Sequence, residues 1–486
     1  MSATLRFKDG ETAPRAFDEA VTQMAGGLDR LGVAAGDVVC IMLHNSPAFV
    51  QAMFAARLLG AYFCPINWHY KPEEAGWILR DSGAKALVTH RVLRAQVEGG
   101  IPSGLAVLES EELAAQPPWS GAPRPPGMMM PYTSGTSGRA KGVRRLPSPA
   151  EEEAARTALA QEGFARVLGI EPGMRALLPA PLYHSAPASY ALQSMLSGEL
   201  LVLEEKFDAE RSLLLIEKFR LTHAYLVPTM YVRLLRLPES IRKKYDLSSM
   251  RFVASTGSPC AAELKRAMID WWGPLFHESY AASELGYVTA ISSHEALRKP
   301  GSAGRPVGKA LLRILDSHGN ELPRGQVGLI YARQPAHPDF SYNNDPDARR
   351  KLERDGLWTL GDLGFVDEEG YLYVCDRASD MVISGGVNIY PAEIEAALAM
   401  MPGVRDCAVF GIPDEEFGEA LAAAVQAEPG VALQAEDVIR YLRERIAGYK
   451  VPNVVTFHAE LPREDSGKIF KRRLREPYWE KSGRRI

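Results

Sequence analysis

Val38-Val39-Cys40-Ile41-Met42-Leu43 is an uninterrupted apolar run, and its surroundings decide the fold. Apolar residues at helical spacing precede it: Phe17, Ala20, Val21, Met24, Leu28 and Leu31, with Gly32 as a C-terminal stop. After the run, Ser46-Pro47 supplies an N-cap and a first-turn proline for a helix reaching toward Gly60. A second strand signal at Tyr62–Ile66, a helix at Glu73–Arg80 and a third strand at Ala84–Thr89 complete the rhythm. Strand and helix in alternation predict a parallel sheet covered by helices, so the fold class is α/β.

Further apolar runs at Leu200–Leu203, Ala224–Val227, Phe252–Ala254 and Leu329–Ala332 predict more strands, and Met128–Tyr132 another after a proline- and glycine-rich loop at Gln116–Gly127. Near Asp376–Asp380 the pattern changes. Beyond that point the chain carries signals for a helix at Ala392–Met400, strands around Cys407–Gly411 and Leu421–Val425, a charged helix at Ala435–Ile446, and a basic tail at Lys468–Arg475 expected to end the folded part. The expectation is a large N-terminal domain over 1–378, rich in parallel strands, and a smaller mobile α+β lid domain over 379–486.

The 486 residues exceed what one compact domain usually holds. A formal net charge of -4 offers no bulk attraction to nucleic acid or anionic membrane, so an anionic ligand needs a local pocket of donors. No run approaches the roughly 18 apolar residues of a membrane span, and the N-terminus lacks the apolar core of a signal peptide. The five cysteines, Cys40, Cys64, Cys260, Cys375 and Cys407, show neither CxxC pairing nor metal-like spacing. A scattered, odd set points to a reducing compartment, and the expected location is cytoplasmic.

The most specific string is Tyr132-Thr133-Ser134-Gly135-Thr136-Ser137-Gly138-Arg139-Ala140-Lys141-Gly142. Its glycines let backbone amides approach a phosphate, its hydroxyls add donors, and Lys141 brings a point charge. The order differs from a Walker A loop. The string resembles the signature loop of the adenylate-forming superfamily, which includes acyl-CoA synthetases, luciferases and peptide-synthetase adenylation domains. Ala140 stands where that loop usually has proline, and Ser137 where threonine is common.

The resemblance extends along nearly the whole chain. Pro181-Leu182-Tyr183-His184-Ser185-Ala186-Pro187 resembles the acid-pocket motif, which makes His184 a binding candidate for the substrate carboxylate; on its own, a histidine beside proline reads as structural. Ser255-Thr256-Gly257-Ser258-Pro259, read as a hydroxyl-rich turn at a strand end, resembles the adenine and acyl-pocket loop and brings in Gly257 and Ser258. His277–Gly286 resembles the Tyr-x-x-Thr-Glu motif, which implies Tyr280 against adenine, Ser283 toward the α-phosphate and Glu284 as the Mg²⁺ ligand. Trp358–Gly364 resembles the motif whose aspartate, here Asp362, grips the ribose hydroxyls.

The longest match is Asp376–Glu395, in which Arg377 takes the nucleotide-contacting position, Ser379 the hinge, and Gly385-Gly386 the border of a pantetheine tunnel. Leu461–Lys468 resembles the lid motif whose lysine, Lys468, bridges carboxylate and α-phosphate. The resemblance implies an ATP- and Mg²⁺-dependent ligase that activates a carboxylic acid as acyl-AMP and passes it to coenzyme A. The resemblance implies an aryl or medium-chain acyl acid and leaves its identity open. An amide synthetase or a ligase for a carrier-protein thiol stays open as the alternative, as does a binding protein without chemistry. The sequence carries no signal for oligomeric state.

Overall fold

Backbone alternation between strand and helix places the first chain segment in a four-stranded sheet, here described from a computed structural model that covers residues 1–122, 124–133, 140–463 and 469–482. The strands lie in the order Tyr62–Pro65, Val38–Ile41, Ala86–Thr89 and Ala106–Glu109, all parallel. Both faces of Val38–Ile41 are covered, which explains its apolar run. Ser46 caps the helix Pro47–Leu58 by accepting from the Phe49 amide at 3.3 Å, with Pro47 in its first turn. Such a cap contributes about 1 kcal/mol. The helix Pro14–Arg30 buries Phe17, Val21, Met24 and Leu28 of the expected stripe, whereas Ala20 is half-buried and Leu31, the C-cap, is 38% exposed.

A nine-stranded sheet forms the centre of the large N-terminal domain. Its parallel run, in spatial order, is Phe276–Ala282, Phe252–Thr256, His223–Tyr225, Arg175–Leu178, Leu200–Leu203 and Thr4–Phe7. Antiparallel strands finish both edges. A third, antiparallel sheet includes Leu311–Leu315, Gly328–Arg333, Asp362–Val366 and Leu372–Arg377. The chain then enters the smaller C-terminal domain. There Val404–Asp414 and Gly418–Ala427 form the long central ladder, flanked by Val382–Ser384, Val387–Ile389 and Val454–Phe457.

Period-two alternation sorts this ladder into two cores. Cys407, Val409, Leu421, Ala423 and Val425 face the helices Pro391–Ala399 and Ala435–Arg443. Ala408, Phe410, Ala420, Ala422 and Ala424 face the other way, against Leu461, Leu474 and Tyr478. The four alanines on that face leave room for a closely packed C-terminal helix.

Four expectations need correction. The basic tail does not end the folded part: Lys471–Ser482 is a helix, and Leu474, Tyr478 and the Trp479 indole, which donates to the Gly411 carbonyl at 3.1 Å, dock it onto the ladder. Ser255 and Thr256 belong to the strand Phe252–Thr256, because both pair with the neighbouring strand, and the turn begins only at Gly257. The strand at Ala224–Val227 stops at Tyr225, since Val227 becomes the cap of a helix that Pro228 opens. Of Met128–Tyr132, Met129 makes one isolated bridge to Phe63, and only Tyr132–Thr133 enters a ladder. Among the described residues no helix is long and apolar enough to cross a membrane.

Candidate active site

Thr133 and Lys141 face each other across a short antiparallel pair, Tyr132–Thr133 with Lys141–Arg145, so the glycine-rich string is closed at its base. Ser134, Gly135, Thr136, Ser137 and Gly138 lie outside the described residues, as does Lys468. The Thr133 hydroxyl donates to Glu284 Oε1 at 3.0 Å. The same oxygen accepts from the Tyr342 hydroxyl, also at 3.0 Å. Glu284 is 5% exposed. One buried carboxylate oxygen therefore ties the phosphate-loop candidate to the Tyr280–Glu284 motif. Lys141 Nζ sits 3.0 Å from Asp345 Oδ2 and 5.3 Å from the centre of the Tyr342 ring. The Lys141 ammonium, with the Ala348 amide behind it, holds the Asp345 carboxyl below its ordinary value.

Ser283, next to Glu284, meets a different part of the chain. Its hydroxyl lies 3.1 Å from the Ser185 hydroxyl, and its carbonyl accepts from Arg145 at 2.5 Å. Ser185 opens the helix Ser185–Ser197, and His184 occupies the cap position with its ring 4.5 Å from that of Tyr183. The acid-pocket candidate and the nucleotide candidate thus touch at two serines. Burial lowers the Arg145 guanidinium to about 10, against the pull of Glu284 and Asp339, and it remains cationic at neutral pH.

Tyr280, on the strand Phe276–Ala282, donates its hydroxyl to Asp362 Oδ2 at 2.6 Å. Arg377 Nε lies 3.5 Å from Asp362 Oδ1, and the two residues are register partners on adjacent strands. The three residues assigned to adenine, ribose and nucleotide contact form one cluster, and each oxygen of Asp362 faces a protein donor. Gly257 and Ser258 sit in an exposed turn at the end of Phe252–Thr256, where the Thr256 hydroxyl donates to the Ser279 carbonyl at 2.9 Å.

Gly385 and Gly386 occupy a two-residue turn between Val382–Ser384 and Val387–Ile389, with φ of 56° and 80°. A hairpin loop with both residues in the left-handed region selects glycine by itself. The Gly385 amide donates to the Phe417 carbonyl at 2.8 Å, within the C-terminal domain. Ser379 is exposed, and its carbonyl accepts from Arg475 at 3.0 Å.

A scan of family models matches AMP-binding enzyme over residues 9–337 and AMP-binding enzyme C-terminal domain over 393–468. Feruloyl-CoA synthase of an Amycolatopsis species is 35% identical over 469 residues, covering 94% of this chain and 92% of that protein. The chain belongs to the AMP-binding enzyme family. Long-chain-fatty-acid–CoA ligase FadD13 of Mycobacterium tuberculosis is 32% identical over 471 residues, with 93% and 90% covered. Among solved structures, o-succinylbenzoate CoA synthetase from Bacillus subtilis with its acyl-adenylate superposes with a TM-score of 0.84 at 28% identity, covering 97% of this chain and 95% of that one. The chain is an acyl-CoA synthetase, which joins a carboxylic acid to coenzyme A through an acyl-AMP formed from ATP.

Sequence reading missed Tyr342, Asp345 and Arg145 in this AMP-binding enzyme. Tyr342 reaches Glu284 because its strand, Phe340–Tyr342, pairs with Lys141–Arg145, placing Tyr342 opposite Val143. The run Phe340-Ser341-Tyr342-Asn343-Asn344-Asp345, polar groups interleaved with aromatics, was the available signal.

Gly286, two residues after Glu284, has φ of 75°, and a Cβ there would fall 2.2 Å from the His337 ring. The synthetase backbone is thereby pressed against a histidine that burial, with the Arg145 charge second, pushes down to about 3. A neutral imidazole in the folded enzyme leaves the unfolded chain as the better proton acceptor below its ordinary value near 6.5. Stability from this group is full above that value and declines as pH falls toward 3. The unfolding free energy from urea titrations is expected to drop between pH 7 and pH 5, by up to about 1.4 kcal/mol per pH unit from this one residue. His337→Asn, whose side chain does not titrate, should remove that part of the slope in equilibrium unfolding.

Proposed function

We propose that the enzyme activates an aryl or medium-chain acid, with the carboxylate beside His184 and the acyl group running toward Gly257. ATP is bound by Thr133–Lys141, with Tyr280, Ser258 and Arg377 around the base and sugar, Asp362 on the ribose and Ser283 near the α-phosphate. The observation that carries this reading is the meeting at Ser283–Glu284 of the Thr133 hydroxyl from one motif and the Ser185 hydroxyl from another. A carboxylate and an α-phosphate brought to those two serines would be neighbours, as in-line attack requires.

A Mg²⁺ ion fits the donor set. Magnesium keeps several waters and takes one or two carboxylates plus substrate phosphates, and Glu284 offers an anionic oxygen already oriented by two hydroxyls. Glu284 would hold it, and the ion supplies charge neutralisation to the triphosphate. The chain's own residues position the reactants. Lys468 balances charge as the acid oxygen attacks, and the lid, taken as 379–486, then turns about Ser379 so that Gly385-Gly386 meets the thiol of coenzyme A. We place the reaction in the cytoplasm, a reading supported by five unpaired cysteines.

A buried polar cluster favours an acid with a hydrogen-bonding substituent. The Tyr231 hydroxyl lies beside Ser255, Cys260 and Glu278, and Ser255 and Glu278 are partners across adjacent strands. The Tyr231 and Ser255 hydroxyls face each other, and neither has a further hydrogen-bond partner among the described residues. Lys265, 5% exposed, pairs with Glu278 at 2.5 Å. An unmade buried hydrogen bond costs about 1–3 kcal/mol, so a phenol-like group entering there would be rewarded.

The test is pyrophosphate release from ATP and Mg²⁺ across a panel of acids, with and without coenzyme A. Acid-dependent release with a thioester product supports the reading; acyl-AMP that accumulates beside the thiol points to an amine or carrier-protein acceptor. Within the panel, Tyr231→Phe is expected to lower kcat/KM for a hydroxylated aryl acid by about tenfold. The parent acid without the hydroxyl should be unaffected. Equal losses on both acids would remove Tyr231 from the pocket.

A further inference from the structure

The C-terminal domain has two chemically different ends. Its central ladder runs from Val404 paired with Ala427 to Asp414 paired with Gly418. At about 3.3 Å per residue these ends are roughly 30 Å apart. The Gly418 end carries the glycine pair, because Ser384 pairs with Gly418 and the Gly385 amide bonds Phe417. The Val404 end carries the residues that flank Lys468 in the chain. Arg463 donates to Asp406 at 2.5 Å and bridges to Ile469, and the Phe470 amide donates to the Pro462 carbonyl at 2.7 Å.

Only one of these ends is gripped through Arg236. This residue follows the helix Pro228–Leu235 of the large domain and is its C-cap. Its guanidinium forms an ion pair with Glu428 and donates to the Val404 carbonyl. Glu428 in turn donates its amide to Gly403 at 2.8 Å, so both acceptors belong to the rigid margin of the ladder. The Lys468 end is thus tied to the large domain by a two-pronged arginine contact. An arginine fork that meets a carboxylate and a carbonyl together fixes direction as well as distance.

We propose that Arg236 is a positioning residue that holds the lid in its acid-activating orientation. A lid that turns to bring Gly385-Gly386 to the thiol must release Glu428 and the Val404 carbonyl from Arg236. The contact therefore favours the first half-reaction and opposes entry into the second. This inference rests on the two-orientation reading of the lid given above.

The two half-reactions separate its effect from a general structural one. Acyl-AMP formation is followed in a single turnover without coenzyme A, and thioester formation is followed from supplied acyl-AMP. Arg236→Ala is expected to slow acyl-AMP formation about tenfold, the loss of one charged hydrogen-bonding group, and to leave thioester formation unchanged or faster. Glu428→Arg should do the same, and the exchanged pair Arg236→Glu with Glu428→Arg should recover much of the loss. Parallel decline of both steps, or acyl-AMP formation within twofold of wild type, overturns the assignment. If a single variant unfolds, Arg236→Lys, which keeps charge but loses the fork, gives the same comparison in a milder form. Lys468→Ala in the same assay tells the two failures apart. Should it leave acyl-AMP formation intact, the two-orientation reading fails; should it abolish that step while Arg236→Ala does nothing, only the role of Arg236 fails.

Discussion

Glu284→Gln is expected to lower acid-dependent pyrophosphate release by about 10²–10³-fold, the scale on which a positioned charge or donor at a reacting centre usually acts. The substitution is nearly isosteric, so the effect is electrostatic. Glutamine keeps one carbonyl oxygen for Thr133 and Tyr342, which both donate to Oε1. It removes the negative charge that would hold Mg²⁺ and that balances Arg145 nearby. The Mg²⁺ concentration for half-maximal rate should rise, and the thermal midpoint should fall modestly because a buried cation loses its counter-charge. Tyr342→Phe, which takes away one of the two donors and no charge, should cost about tenfold without altering the metal requirement. A Glu284→Gln enzyme with wild-type release and an unchanged Mg²⁺ titration would take the metal away from this residue.

Most of what the sequence made legible was periodic or local. The Val38 run, the Ser46-Pro47 cap and the Phe17–Leu28 stripe each follow from spacing, and each forms as expected. The helix Lys471–Ser482 was hidden for a physical reason: it is strongly polar, it contains Pro477, and it depends on Leu474 and Tyr478 reaching across to Phe410 and the ladder alanines. Tyr342 was hidden because its role comes from strand pairing with a segment about two hundred residues earlier. Tyr231 reads in sequence as an ordinary apolar-face residue of a short helix, and only the placing of its hydroxyl beside Ser255 and Glu278 sets it apart. Gly385-Gly386 teaches the opposite lesson. The motif was visible, yet its positive φ angles are explained by the hairpin turn, so glycine there is needed before any arm of coenzyme A is considered.

Lys468→Ala should separate the two halves of the reaction more sharply than any other single change. The residue lies outside the described positions, but the chain on either side of it is firmly held. Arg463 bridges to Ile469 before and after the loop. Lys471, three residues on, pairs with Glu395 at 2.8 Å and feels the charges of Asp376 and Asp380. Those carboxylates raise the Lys471 ammonium above its ordinary value despite burial, so it stays charged and anchored to them. Flanking residues held in place restrict where the side chain between them can go, which lowers the entropic cost of bringing it to one site. An ammonium delivered there stabilises charge only while carboxylate and α-phosphate share it, which is a feature of the first transfer and not of thiol attack. Alanine is therefore expected to slow acyl-AMP formation by about 10²–10³-fold and to leave thioester formation from supplied acyl-AMP within a few-fold of wild type. Lysine's charge, and not its bulk, is the variable, so Lys468→Met should behave as alanine does. Equal slowing of both steps would mean that the loop supports the site as a whole, and the assignment of Lys468 to the first transfer would be withdrawn.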